Sequence, residues 1–183
     1  KPFLALPAAI AAAQAAVDAG SGTVILTDAA DATSSGASGN GASILAELIN
    51  QGYTGRALVP LVDPAAVEAA FAVGVGGNLP AGTVLGGSFD ARFTVAGSPS
   101  FQGGPGSVVG AHEGPYIGVT DEQPASLAVP GNGNGDSVTA VVTTLSDGEA
   151  VRQRWNWGGP GRCCTLQLGT VTVTVISNPV VCV

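Results

Sequence analysis

Thr23–Leu45 reads TVILTDAADATSSGASGNGASIL, and the order of its parts decides the fold. Thr23–Thr27 is a short, β-branched apolar run of buried-strand type. Asp28 and Asp31 stand just past its end, and a loop through Gly36, Gly39 and Gly41 runs on into a helix. That helix carries Ile44, Leu45, Leu48 and Ile49 on one face, and Gly52 can close it.

Working outward, the same alternation continues on both sides. Upstream, Leu6, Ile10, Ala13 and Val17 form one stripe of an alanine-rich helix, with Pro7 in its first turn and Gly20 at its end. Downstream, Arg56–Val62 (RALVPLV) reads as a strand whose Pro60 marks an end or an edge. Asp63-Pro64 is a cap and first turn for a third helix with Val67, Ala70 and Phe71 inward, ended by Gly74 and Gly76. Strand, helix, strand, helix predicts a parallel sheet with right-handed crossovers.

Beyond residue 82 the texture changes to strands and glycine-rich loops. Thr83–Leu85 and Arg92–Val95 read as strands, and residues 97–135 as a long irregular excursion. Val138–Leu145 and Ala150–Trp155 form one expected hairpin across Asp147-Gly148; Cys164–Leu168 and Thr170–Ile176 form another around Gly169. In the last strand Val171, Val173 and Val175 alternate with threonines, so one face is apolar and the other hydroxylated. The predicted fold is therefore α/β: a small parallel or mixed sheet with flanking helices in the first half, antiparallel hairpins in the second. We expect a single domain over 1–183, with an α/β part at 1–96, a Gly/Pro-rich insertion at 97–136 and hairpins at 137–183.

Composition narrows the function. Hydrophobic residues make up 45% of the chain and charged ones 10%, against roughly 25% charged in an average soluble domain. With a net charge of −7 and scattered arginines, no nucleic-acid partner is expected. No run reaches the roughly 20 apolar residues of a membrane helix, so no membrane insertion is expected either. The chain opens on Lys1 and holds no Met, and reads as a fragment or a processed piece. Cys163, Cys164 and Cys182 have no C-x-x-C spacing; they read as small apolar residues in strands or as one bridge to Cys182.

The Asp28–Gly41 loop admits two readings from spacing alone. Open α/β sheets bind ligands past the carboxyl ends of strands, and a helix start offers free N–H groups to an anion. Alternatively the glycines only turn the chain and a carboxylate caps a helix. The spacing fits neither a dinucleotide fingerprint nor a P-loop. Other catalytic constellations are missing. His112 is the sole histidine, followed by Glu113, with no H-E-x-x-H; a catalytic zinc needs about three protein ligands. Trp155 and Trp157 share one strand face opposite Arg152 and Arg154, where they either cover a core or stack on a partner.

The segment resembles the carboxy-terminal domain of the microcystinase C (MlrC-like) metallopeptidase family. That domain reads strand, Asp-x-x-Asp-Asn, glycine-rich loop, Leu-rich helix, then a strand into Asp-Pro-Glu-Ala-Val. Here Asp28, Asp31, Gly36, Gly39, Asp63 and Pro64 take the matching places, and Gly86-Gly87 resembles a following Gly-Gly-Lys. Leu145–Gly148 and Thr174–Val181 resemble its closing hairpins. The departures are Ala32 for the Asn, Asn40 for a loop Asp, and Ser88 for the Lys. The resemblance implies ligand contacts through Asp28, Asp31, Gly36, Gly39, Asn40 and Asp63. It implies no catalytic or metal-binding residue and no cofactor in this chain, zinc being held by an amino-terminal domain that the sequence does not contain.

Two functions follow as expectations. One is a non-catalytic, cleft-shaping domain of an MlrC-like zinc metallo-hydrolase, cytoplasmic or periplasmic, partnered by an amino-terminal metal-binding domain and not an enzyme on its own. The other is a structural subunit of an extracellular filament or surface assembly, a homo-oligomer or polymer joined through strands such as the uncharged Thr170–Val175.

Overall fold

The computed structural model describes residues 4–28, 31, 33, 39–86, 127–129, 139–148 and 161–178. Among these the chain runs α1 (Leu6–Asp18), α2 (Ser43–Asn50), β1 (Ala57–Val62), α3 (Pro64–Val73), β2 (Val84–Leu85), β3 (Leu127–Ala128), β4 (Ala140–Ser146), β5 (Cys163–Leu168) and β6 (Val171–Ile176). The fold is mixed α/β, as expected.

Four strands form one sheet in the order β1-β6-β5-β4. β1 runs parallel to β6, while β6–β5 and β5–β4 are antiparallel. The parallel pair thus joins the first half of the chain to its last strand, and the two halves share one sheet. β2 and β3 make a separate antiparallel pair.

One face of the sheet is built from three cross-strand rows. Ala57, Val171, Leu168 and Ala140 form the first; Val59, Val173, Leu166 and Val142 the second; Leu61, Val175, Cys164 and Leu145 the third. Apart from half-buried Ala57 and Leu145, every member is buried. Val142 and Leu145 are three apart, which a regular strand would send to opposite faces. A bulge between Val142 and Thr144 restores them to one face. α3 packs on this face against β4, β5 and β6, and α2 packs against α1 and β3. Ile10, Leu45, Val67 and Ala70 complete the core from the helices.

The helices follow their sequence signals. α1 has Pro7 in its first turn and buries Ile10 and Ala13. α3 starts on Asp63, whose side chain accepts from Ala66 N. Arg162, just before β5, pairs with Glu68 (2.8 Å) and lies 3.9 Å from the centroid of the Phe71 ring, fastening α3 to the sheet.

Several expectations need correction. Thr23–Thr27 is not a strand: the run 21–28 is irregular and exposed. β1 offers such a run little: Ala57 N and Asp63 N both donate toward β6 (to Thr170 O and Ile176 O), so the backbone N–H groups of residues 58 and 62, and the Pro60 nitrogen, point away from it. Of these, Pro60 has no N–H and Val62 donates to Gly39 O at 2.8 Å, leaving little ladder for a neighbour. Pro60 does stand on an edge, as its chemistry requires.

Part of the supposed irregular excursion is packed. Leu127–Ala128 pairs with β2, and Val129 is buried, donating to Thr83 O at 2.7 Å. β4 pairs with β5; the hairpin mate expected at 150–155 lies outside the described residues, as does Arg92–Val95. On its other side, Asn78 bridges Val141, and Leu79 N donates to Ala140 O. Finally, the valine–threonine strand is no open edge. β6 is paired on both sides, which removes the strand contact on which the assembly reading leaned.

Candidate functional site

The loop and the acidic residues of the sequence meet at the carboxyl end of β1. Val62 N donates to Gly39 O, which anchors the loop on the strand end. Asp31 sits inside the loop with both oxygens engaged: Oδ1 accepts from Gly39 N at 2.8 Å and Oδ2 from Gly41 N at 2.6 Å. The anion that fills this glycine loop is therefore the chain's own carboxylate. Asp28 stands one step earlier, its Oδ1 accepting from Asp31 N at 3.3 Å.

Asp63 plays the corresponding part on the other side. It is 0% exposed, and it bonds in two directions. Oδ1 accepts from Ala66 N at 3.0 Å, capping α3, and Oδ2 accepts from Gly86 N at 2.8 Å. Each bond uses a full negative charge on a backbone donor, the stronger kind of hydrogen bond. Gly86 in turn presses on the loop. A Cβ there would meet Asn40 O at 2.6 Å, and its φ of 68° already favours glycine. Gly39 is constrained in the same way, since at φ 71° its Cβ would fall 2.5 Å from Thr33 Cγ2.

The structure brings together Asp28, Asp31, Gly39, Asn40 and Asp63. Gly36 lies outside the described residues, as do Ser88, His112, Trp155, Trp157 and Cys182. Asn40 is 1% exposed, placed beneath Gly86 rather than toward solvent. Cys164, expected as a small apolar strand residue or as a partner for Cys182, also belongs to this neighbourhood. Burial, then Cys163 and Asp63, push its thiol up to about 12, so it stays protonated. Burial also raises Cys163, whose Sγ donates to Gly161 O. Both are free thiols. Nothing in the spacing of Asp63 and Gly86, twenty-three residues apart, announced their bond.

Chemically, these carboxylates are braces. Asp31 and Asp63 each hold two backbone N–H groups, and no group of three or more His, Cys, Asp or Glu side chains suited to a metal ion occurs among the described residues. No helix among them is long and apolar enough to cross a membrane. What the described residues offer a neighbour is a fixed backbone surface: Asp28, Asp31, Gly39–Gly41, the start of α2, and Gly86.

Fold and site together define an α/β domain with a mixed sheet and a carboxylate-braced glycine loop at the end of its edge strand. Residues 26–112, which contain that loop, Asp63 and Gly86, match the family model described as "MlrC C-terminus". This match supports an MlrC carboxy-terminal domain, in line with the resemblance read from the motifs. Among solved structures it is similar to that of a "Putative metallopeptidase" from Mesorhizobium sp. BNC1, with a TM-score of 0.55 at 14% identity. The likeness covers 98% of this chain but 28% of the other, so this chain spans little more than a quarter of that protein. At such identity the likeness is one of fold. No curated protein matches the sequence.

Proposed function

We propose that this domain is the accessory, cleft-shaping part of an MlrC-like zinc metallo-hydrolase. The metal would be held by residues that these 183 do not include. The observation that carries the reading is the braced loop: it lies within the segment matching the MlrC C-terminus and rests on the carboxyl end of β1, where α/β sheets bind ligands. Asp31 and Asp63 spend their charge on backbone donors, which suits a wall better than a reacting centre. The wall presents Asp28, the Gly39–Gly41 backbone and the α2 start, which has no side-chain cap of its own. In a hydrolase, a rigid wall orients the substrate against a metal supplied from across the cleft.

Zinc content and peptide hydrolysis test this directly. The purified 183-residue chain should bind no stoichiometric zinc and cleave no peptide. The native particle should be heavier than this chain and should contain zinc. Stoichiometric zinc together with cleavage in the chain alone would overturn the proposal.

A further inference from the structure

The brace around Asp31 demands glycine at 41, and the residue before it is an asparagine. A Cβ on Gly41 would lie 2.9 Å from Asp31 Oδ2, the oxygen that accepts from Gly41 N at 2.6 Å. With no side chain to shield it, a nitrogen in this position can also approach the preceding asparagine closely. In an unstructured Asn-Gly step that nitrogen attacks the asparagine Cγ and ammonia leaves. The succinimide ring so formed takes up one water and opens to aspartate or isoaspartate. No oxidant, metal or enzyme enters the balance.

At Asn40 the fold opposes each part of that reaction. Gly39 N and Gly41 N, on either side of Asn40, are bonded to the two oxygens of one carboxylate, at 2.8 and 2.6 Å. Val62 N donates to Gly39 O at 2.8 Å. The backbone of residue 40 is thus fixed at both ends, whereas closing a five-membered ring requires it to turn. A carboxylate is too weak a base to strip an amide proton, so the bond restrains Gly41 N rather than activating it. Asn40 is 1% exposed, which keeps water from the ring. Space is also short, since a Cβ on Gly86 would fall 2.6 Å from Asn40 O and 2.9 Å from Ala42 Cβ.

We propose that Asn40-Gly41 is a latent deamidation site that the Asp31 carboxylate holds unreactive, so that the loop is modified only when the clamp opens. Local opening sets the rate. Either product hinders reclosure. Aspartate puts a charge where the side chain is shut off from water. Isoaspartate adds one methylene to the backbone between the two amides that Asp31 spans. A transient opening thereby becomes a lasting change in the loop, whatever the loop serves.

Peptide mapping by mass spectrometry, on the whole chain incubated at mildly alkaline pH, reads the reaction at Asn40. The same chain held in urea gives the unclamped rate. Folded, Asn40 should convert about tenfold more slowly or better. Asp31→Ala removes both bonds and should speed conversion in the folded chain about tenfold or more. Asp31→Asn keeps one acceptor and should fall between; it replaces the alanine variant should that fold poorly. Equal rates in folded and urea-held chain would refute a guarded site. Unchanged conversion in a folded Asp31 variant would refute the guard's identity, and slower conversion would make the carboxylate an activator of Gly41 N. Zinc and peptide hydrolysis do not enter the measurement, so these failures are distinct from failure of the cleft-wall reading.

Discussion

The β5–β6 hairpin and the Asp28–Gly41 loop are held by opposite means. In the hairpin, Cys164, Leu166 and Leu168 face Val175, Val173 and Val171 across an antiparallel ladder, and all six are buried at 1% exposure or less. Its stability is spread over apolar area, so no single polar contact is indispensable. The described part of the loop is held by charge: Asp31 accepts from Gly39 N and Gly41 N, while beside it Asp63 accepts from Ala66 N and Gly86 N. A region of the first kind tolerates swaps of similar volume, whereas one of the second kind depends on charge at two positions.

Truncating the hairpin's centre should have the largest effect. Leu166 is 0% exposed between Val142 and Val173, and Leu166→Ala should cost about 3 kcal/mol in urea unfolding. A loss below about 1 kcal/mol would mean that the middle row is not a close-packed core. Next comes the polar region. Asp63→Ala removes a helix cap and orphans the buried Gly86 N–H, for about 2–3 kcal/mol together. Asp63→Asn keeps one acceptor and should recover part of this. Faster exchange at Gly86 and Ala66 should accompany the loss. If both variants are as stable as the parent, the loop does not depend on the brace.

The same contrast explains what could be read from the sequence. Val171, Val173 and Val175 repeat every second residue, and Asp63-Pro64 precedes an apolar helical stripe, so the hairpin and α3 were legible from local periodicity and capping. The pairing of Ala57 with Val171 was not, because parallel partners so distant in sequence carry no turn signal between them. Thr23–Thr27 has a strand's composition, yet the structure leaves it irregular and exposed. Leu145 reaches the core face only through a bulge, which breaks the period that reading relies on. At the site, spacing placed Asp28, Asp31 and Gly39 in one loop, and the family resemblance added Asn40 and Asp63. They did not say what the carboxylates grip, since an aspartate beside glycines reads equally as a cap or a ligand contact. Gly86 as the target of Asp63 needed the structure.

Cys164 lies where the two regions touch, in the third core row and close enough to Asp63 to feel its charge. Its thiol is pushed up to about 12 from an ordinary 9.0. A folded pKa above the unfolded one means that the folded chain keeps the proton longer. Stability from this group is therefore whole below about pH 9 and is lost as pH climbs toward 12. At pH 10 the loss should be about 1 kcal/mol, and Cys164→Val should remove that part of the alkaline slope. An unchanged slope would show that burial does not hold the thiol protonated.

The smallest effect should come from the surface tie between α3 and β5. Arg162 and Glu68 have side chains 47% and 63% exposed, so solvent screens their attraction and their ordering offsets much of it. Glu68→Gln should cost no more than about 0.5 kcal/mol. Arg162→Ala should cost somewhat more, because the guanidinium also lies over the Phe71 ring. A double-mutant cycle separates the two contributions. A coupling above about 1 kcal/mol would mean that charge stabilises the exterior here as strongly as it does the loop, and the contrast between the regions would then be one of position rather than of kind.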